Sequence, residues 1–95
     1  MTPVAKTWNK TMSDPWEVAE RLRMERVVEQ DGTIVWLLDG KTHRRDGPAI
    51  ERPDGGRHWC LHGKLHRVNG PAVSLPDGRK EWWVSGTMIR KESPQ

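Results

Sequence analysis

Tyrosine and phenylalanine are both absent, which leaves six tryptophans as the only aromatic side chains in 95 residues. Any aromatic core must then be built from tryptophan, and each buried Trp removes on the order of 200 Å² from water. Other apolar sources are scarce, since the hydrophobic share is 34%, and a chain of this length sits near the size where burial only just outweighs ordering entropy. Cysteine occurs once, at Cys60, so an internal disulfide is excluded. No apolar run reaches the length of a signal-peptide core or a membrane span. The simplest expectation is a single-domain protein of the host-cell interior, cytoplasmic and without a membrane partner.

Catalytic patterns are missing as well. The chain has no phosphate-binding loop, no nucleophile with a paired base and no carboxylate pair set in a recognisable motif. The expectation is therefore a protein that is not an enzyme and uses no cofactor.

What the sequence does contain is a stretch written nearly twice. Residues 31–53 and 54–76, laid over each other at an offset of 23, share 12 identities. These are Asp31-Gly32 with Asp54-Gly55, Trp36 with Trp59, Leu38 with Leu61, Gly40-Lys41 with Gly63-Lys64, His43-Arg44 with His66-Arg67, Gly47-Pro48-Ala49 with Gly70-Pro71-Ala72, and Pro53 with Pro76. Residues 77–95 read as an incomplete third copy: Asp77-Gly78, Trp82, Val84 in the Leu place, Gly86, Arg90 and Pro94, with Ile89 where His would stand. Self-similarity at a fixed short period marks a repeat array.

The pattern Trp-x-x-x-Gly-Lys-x-His-Arg-x-x-Gly-Pro-Ala, closed by Pro-Asp-Gly, resembles the variant MORN-type (membrane occupation and recognition nexus) repeats of small bacterial and phage proteins. It departs from the usual pattern, in which Tyr recurs, by placing Trp at the aromatic position. The resemblance covers residues 31–95. It implies a row of β-hairpins used as a binding surface and implies no reaction.

Each copy reads locally as strand, tight turn, strand, turn. Asp39-Gly40, His62-Gly63 and Ser85-Gly86 supply the glycine that a tight hairpin turn needs at positive φ. Pro48 and Pro71 cannot donate to a ladder and belong at strand starts or bulges. Alternation puts Ile34, Trp36 and Leu38 on one face, with Val35, Leu37 and Asp39 on the other. In the second copy His58, Cys60 and His62 share the latter face, and in the third Glu81, Trp83 and Ser85 do.

Ahead of the repeats, residues 1–12 lack apolar periodicity and read as a mobile arm. Its Trp8 is expected to dock onto the body of the protein. Residues 13–27 read as an amphipathic helix, with Asp14 as cap, Pro15 at the first helical position and Glu17 completing a capping box. Trp16, Ala19 and Arg23, beside Val18, Leu22 and the Arg26 stem, form its apolar stripe. Only the first copy is apolar on both strand faces, so this helix is expected to pack over Val35 and Leu37. The fold predicted is α+β, mainly β: an antiparallel sheet of three hairpins over residues 28–95, the last incomplete, with one N-terminal helix.

Charge is uneven along the chain. Residues 1–39 carry 5 Lys/Arg against 7 Asp/Glu, and residues 40–91 carry 11 against 5. The repeat segment is basic and favours acidic partners. His43-Arg44 and His66-Arg67 invite phosphate chemistry, but a pair reused in successive copies fits structural bonding better, together with Trp36, Trp59 and Trp82. His58, Cys60 and His62, with His66 across the turn, offer zinc-type ligands at an unusual spacing that the other copies do not share, so no metal is expected. Trp83, flanked by Arg79, Lys80, Arg90 and Lys91, reads as a partner anchor, with His58 and His62 on the same face. The function expected is protein binding, and inhibition of a host or defence protein in the manner of anti-CRISPR proteins is its sharper form. The rival is a nucleic-acid binder that stacks a base on Trp83. The unfinished third copy suggests a homodimer through the C-terminal end.

Overall fold

A computed structural model describes residues 14–94. The arm at residues 1–12 and its Trp8 lie outside the described residues. Among the described residues one helix, α1 (Pro15–Arg23), is followed by ten short strands: β1 (Met24–Val28), β2 (Ile34–Leu38), β3 (Lys41–Thr42), β4 (Ile50–Glu51), β5 (Arg57–His58), β6 (Cys60–Leu61), β7 (Lys64–Leu65), β8 (Val73–Ser74), β9 (Lys80–Val84) and β10 (Thr87–Glu92). The architecture is α+β and mainly β, as expected.

The helix is shorter than its sequence suggests. Met24 is already extended, and residues 24–28, read as largely helical, pair antiparallel with β2 from Met24 opposite Leu38 to Val28 opposite Ile34. Good helix formers at Met24, Glu25 and Arg26 give way because Val27 and Val28 gain β-branched partners across the strand, Val35 and Ile34. Cross-strand packing of this kind overrides weak propensity. The capping box is also absent: Asp14 caps through its carbonyl, which accepts from Glu17 and Val18, while its carboxylate takes the Trp16 Nε1–H at 3.2 Å.

The main sheet runs β1-β2-β4-β5-β8-β9-β10, with β3 beside β2, and β6-β7 form a separate hairpin. The pairing repeats at the sequence offset. Val35 opposes Ile50 as His58 opposes Val73, and Ile50 opposes His58 as Val73 opposes Glu81. At the hairpin tips Leu37 faces Thr42, Cys60 faces Leu65 and Trp83 faces Met88. One transverse row therefore reads Val27, Val35, Ile50, His58, Val73, Glu81, because directly opposed residues share a face.

Turn chemistry sets these registers. Asp39-Gly40, His62-Gly63 and Ser85-Gly86 all have positive φ at both positions, the geometry of a two-residue type I′ hairpin whose twist matches the strands. At the opposite turns the Asp31, Asp54 and Asp77 carboxylates accept from the backbone N–H two residues on, at 2.9–3.0 Å.

The core differs from the expected tryptophan core. Among the described residues its buried apolar side chains are Leu38, Ala49, Cys60, Ala72 and Val73, with no Trp. Trp36, Trp59 and Trp82 are half-buried. Described extents of 54 × 30 × 21 Å make a small, elongated body with much surface for its volume, in which large side chains are only partly covered.

The helix also turns its other side to the sheet. Glu17 and Glu20 are its best covered residues, whereas Val18 is 42% and Leu22 81% exposed. Instead of an apolar stripe lying over Val35 and Leu37, side-chain bonds hold α1 on the first hairpin turn.

Candidate functional site

Each repeated Arg sits in the same cage. The Arg44 guanidinium lies 4.6 Å from the Trp36 ring centroid and that of Arg67 lies 3.9 Å from Trp59. Arg44 Nη1 donates to the Pro48 carbonyl at 3.2 Å and Arg67 Nη1 to that of Pro71 at 3.1 Å. A Cβ on Gly47 or Gly70 would stand 2.8 or 2.7 Å from the guanidinium carbon, so only glycine admits the Arg there. Ala49 and Ala72, next along, are fully buried. The spaced motif of Trp, Arg and Gly-Pro-Ala is thus one structural object. In the last copy Arg90 covers Trp82 at 4.6 Å and pairs with Glu92.

Each repeated His reaches the following hairpin. His43 Nδ1 accepts the backbone N–H of His62 at 2.9 Å, and His66 Nδ1 accepts that of Ser85 at 2.9 Å. A backbone N–H only donates, so Nδ1 is the acceptor in both rings and the neutral imidazole carries its proton on Nε2. Further backbone bonds, Arg44 N–H to the Cys60 carbonyl and Arg67 N–H to that of Trp83, both 3.0 Å, tie the same neighbours together.

On the first hairpin the helix completes this arrangement. Buried His43 gives its Nε2–H to Glu20 Oε2 at 2.9 Å, and Arg45 grips the same carboxylate at 2.8 and 3.2 Å. The Arg45 guanidinium, with the His43 N–H adding to it, outweighs desolvation and holds the Glu20 carboxyl down to about 2. One helical turn on, Arg23 grips Asp39 at 3.1 and 3.3 Å, which lowers the Asp39 carboxyl. Arg45 also lies over the Trp16 ring at 4.9 Å. Glu20 and Arg45 did not stand out in the sequence, and Asp39 and Arg23 did so only as a turn residue and as part of the helix stripe. A signal was nonetheless present, since the first copy departs from both others at Asp39 (His62, Ser85) and from the second at Arg45 (Val68), where the helix docks.

On the second hairpin the corresponding place is open. A cleft of about 250 Å³ is lined by Leu61, His62, Lys64, His66 and Ser85. No described residue accepts the His66 Nε2–H. His62 is exposed at the rim, with its ring 4.5 Å from that of His43.

The residues read as a partner surface are more engaged than expected. Trp83 is half-buried, and its Nε1–H donates to Glu81 at 2.8 Å. Arg79 pairs with Asp77, while Lys80 stands opposite Glu92 and Lys91 opposite Glu81. His58 lies in the transverse row between Ile50 and Val73, where burial, with Arg52 adding, pushes its pKa down. Cys60 is buried in the separate hairpin, so His58, Cys60 and His62 do not share a strand. No group of three or more His, Cys, Asp or Glu among the described residues is placed to hold a metal ion.

No described helix is long and apolar enough to cross a membrane. Compared with protein-family models, with curated proteins and with solved structures, the chain matches none.

Proposed function

We propose that this chain is a non-enzymatic protein-binding module of the host-cell interior, built from MORN-like hairpins, and that inhibition of a host or defence protein, as anti-CRISPR proteins do, is the use it is put to. The observation that carries the reading is the outward apolar side of α1, where Val18 is 42% and Leu22 81% exposed, whereas Trp16 lies on the docked side under Arg45. Polar bonds already fix this helix in place, which leaves its apolar side to a partner, and neighbouring exposed apolar residues favour protein interfaces. The basic residues support nucleic acid less well, since Arg44, Arg45, Arg79 and Arg90 each pair with a carboxylate.

Affinity capture with the wild type and with Leu22→Glu tests this. At so exposed a position the substitution is expected to alter stability by no more than about 0.5 kcal/mol. A protein retained by the wild type and lost with Leu22→Glu is the expected result. Recovery of nuclease-sensitive material that salt releases, unaffected by Leu22→Glu, would replace the reading by nucleic-acid binding.

A further inference from the structure

We infer that the cleft between Leu61, His62, Lys64, His66 and Ser85 is a docking site for an acidic helical segment of a partner protein, which presents two carboxylates three residues apart. This rests on the protein-binding reading and adds the chemistry of the ligand.

The first hairpin supplies the template. There Glu20 of α1 receives the His43 Nε2–H, and Arg23, three residues on, grips Asp39. Residues three apart lie on one side of a helix. Shifted by 23 positions, His43 becomes His66, whose Nδ1 is bound to the Ser85 N–H as that of His43 is to His62, so its Nε2–H points to the same task. An acceptor is again called for, and a carboxylate is the acceptor used in the first hairpin.

The second position is inverted. Asp39, which selects an Arg from α1, is replaced by His62, and no acidic residue lines the cleft. Lys64 adds a cation at its edge. An arginine three residues after the glutamate is thereby disfavoured and a second carboxylate favoured, since the Lys64 cation repels the one and attracts the other and the His62 ring can offer an N–H. Val68 replaces Arg45 and is 80% exposed, so the first carboxylate should be flanked by an apolar side chain. Residues 1–13 contain neither Asp nor Glu, so these residues cannot supply the two carboxylates.

The experiment is a titration of the full ¹⁵N-labelled chain with a lactam-stapled helix of the sequence of residues 14–23 carrying Arg23→Glu. That change also repels the probe from Asp39 and directs it away from the α1 position. Shifts at the Ser85 amide and the His66 ring are expected, with binding at least about tenfold weaker, equivalent to about 1.4 kcal/mol, for a probe in which the glutamates at positions 20 and 23 are both Gln. His66→Asn keeps an acceptor for the Ser85 N–H in Oδ1 and removes Nε2. It should weaken the probe about tenfold while leaving the thermal melt unchanged. Should His66→Asn fail to fold, Lys64→Glu, at an exposed position, is expected to weaken binding as much.

Equal binding by the Gln probe or by the folded variant would overturn the inference, as would no shift at millimolar probe. Inorganic phosphate moving the same signals where the stapled helix does not would reassign the cleft to a phosphate group. Failure of the underlying reading looks different: capture would then be insensitive to Leu22→Glu, whatever the cleft binds.

Discussion

Arg67 lies between the Trp59 ring on one side and the α-carbon of Gly70 on the other, with its Nη1 on the Pro71 carbonyl. Gly70→Ala is therefore expected to dislodge the guanidinium. Losing one cation–π contact and one hydrogen bond should cost about 1–2 kcal/mol. A urea melt measures this, and in an Arg67→Ala background the same substitution should cost almost nothing. Equal costs in both backgrounds would show that Gly70 serves the backbone alone. Cys60 makes a second residue-scale case: burial pushes its thiol up, against a bond from Thr42. A thiol reagent should modify it only as fast as the chain opens, and full reaction within the mixing time would place it at the surface. The Trp, Arg and Gly-Pro-Ala identities were legible in the sequence as repeated letters. That the three form one cage was not, because the contact depends on how the strand after the turn folds back over the first.

At the scale of the element, α1 depends on a charged network, and acid should release it. The Glu20 carboxyl falls from its ordinary 4.5 to about 2 when the helix docks. A lowered carboxyl stabilises the docked state above the ordinary value and loses that contribution as pH falls towards the docked one. At roughly 1.4 kcal/mol per unit the linkage amounts to about 3 kcal/mol. Protection of the α1 amides from hydrogen exchange, relative to an unstructured chain at the same pH, should fall between pH 4.5 and about 2, before the sheet opens, and Glu20→Gln should lower it already at neutral pH. Loss of protection in step with the sheet at every pH would mean that the helix is held by something else. The existence of the helix was readable from Pro15 and the run of helix formers after it. Its docked side was not, because an apolar stripe shows which face would gain from burial and cannot show that a buried imidazole needs an acceptor from that helix.

At the scale of the molecule, all six residues of β10 are exposed, and it ends the sheet opposite β1. Unpaired strand groups along such an edge are a template for another strand, and two copies joined along β10 would complete each other by two-fold symmetry. Arg79 and Arg90, which would repel near such an axis, are already paired with Asp77 and Glu92. Sedimentation at micromolar concentration is expected to show a dimer of the 11.0 kDa chain. A monomer over the whole range would remove the edge as a self-contact.

By itself the sequence determined the mainly antiparallel β architecture, the 23-residue spacing of equivalent positions and the placing of the turns, since these follow from local rules: Gly at positive φ, Asp before Gly, Pro outside ladders, alternation along strands. The tertiary structure alone decided that Met24–Val28 is a strand, that no tryptophan among the described residues is fully buried, and that Trp83 is engaged with Glu81. It also decided that His43 is bound and His66 open. The two histidines occupy equivalent positions and differ only in what a helix far away in the chain brings to them, and that difference arises from packing across the fold.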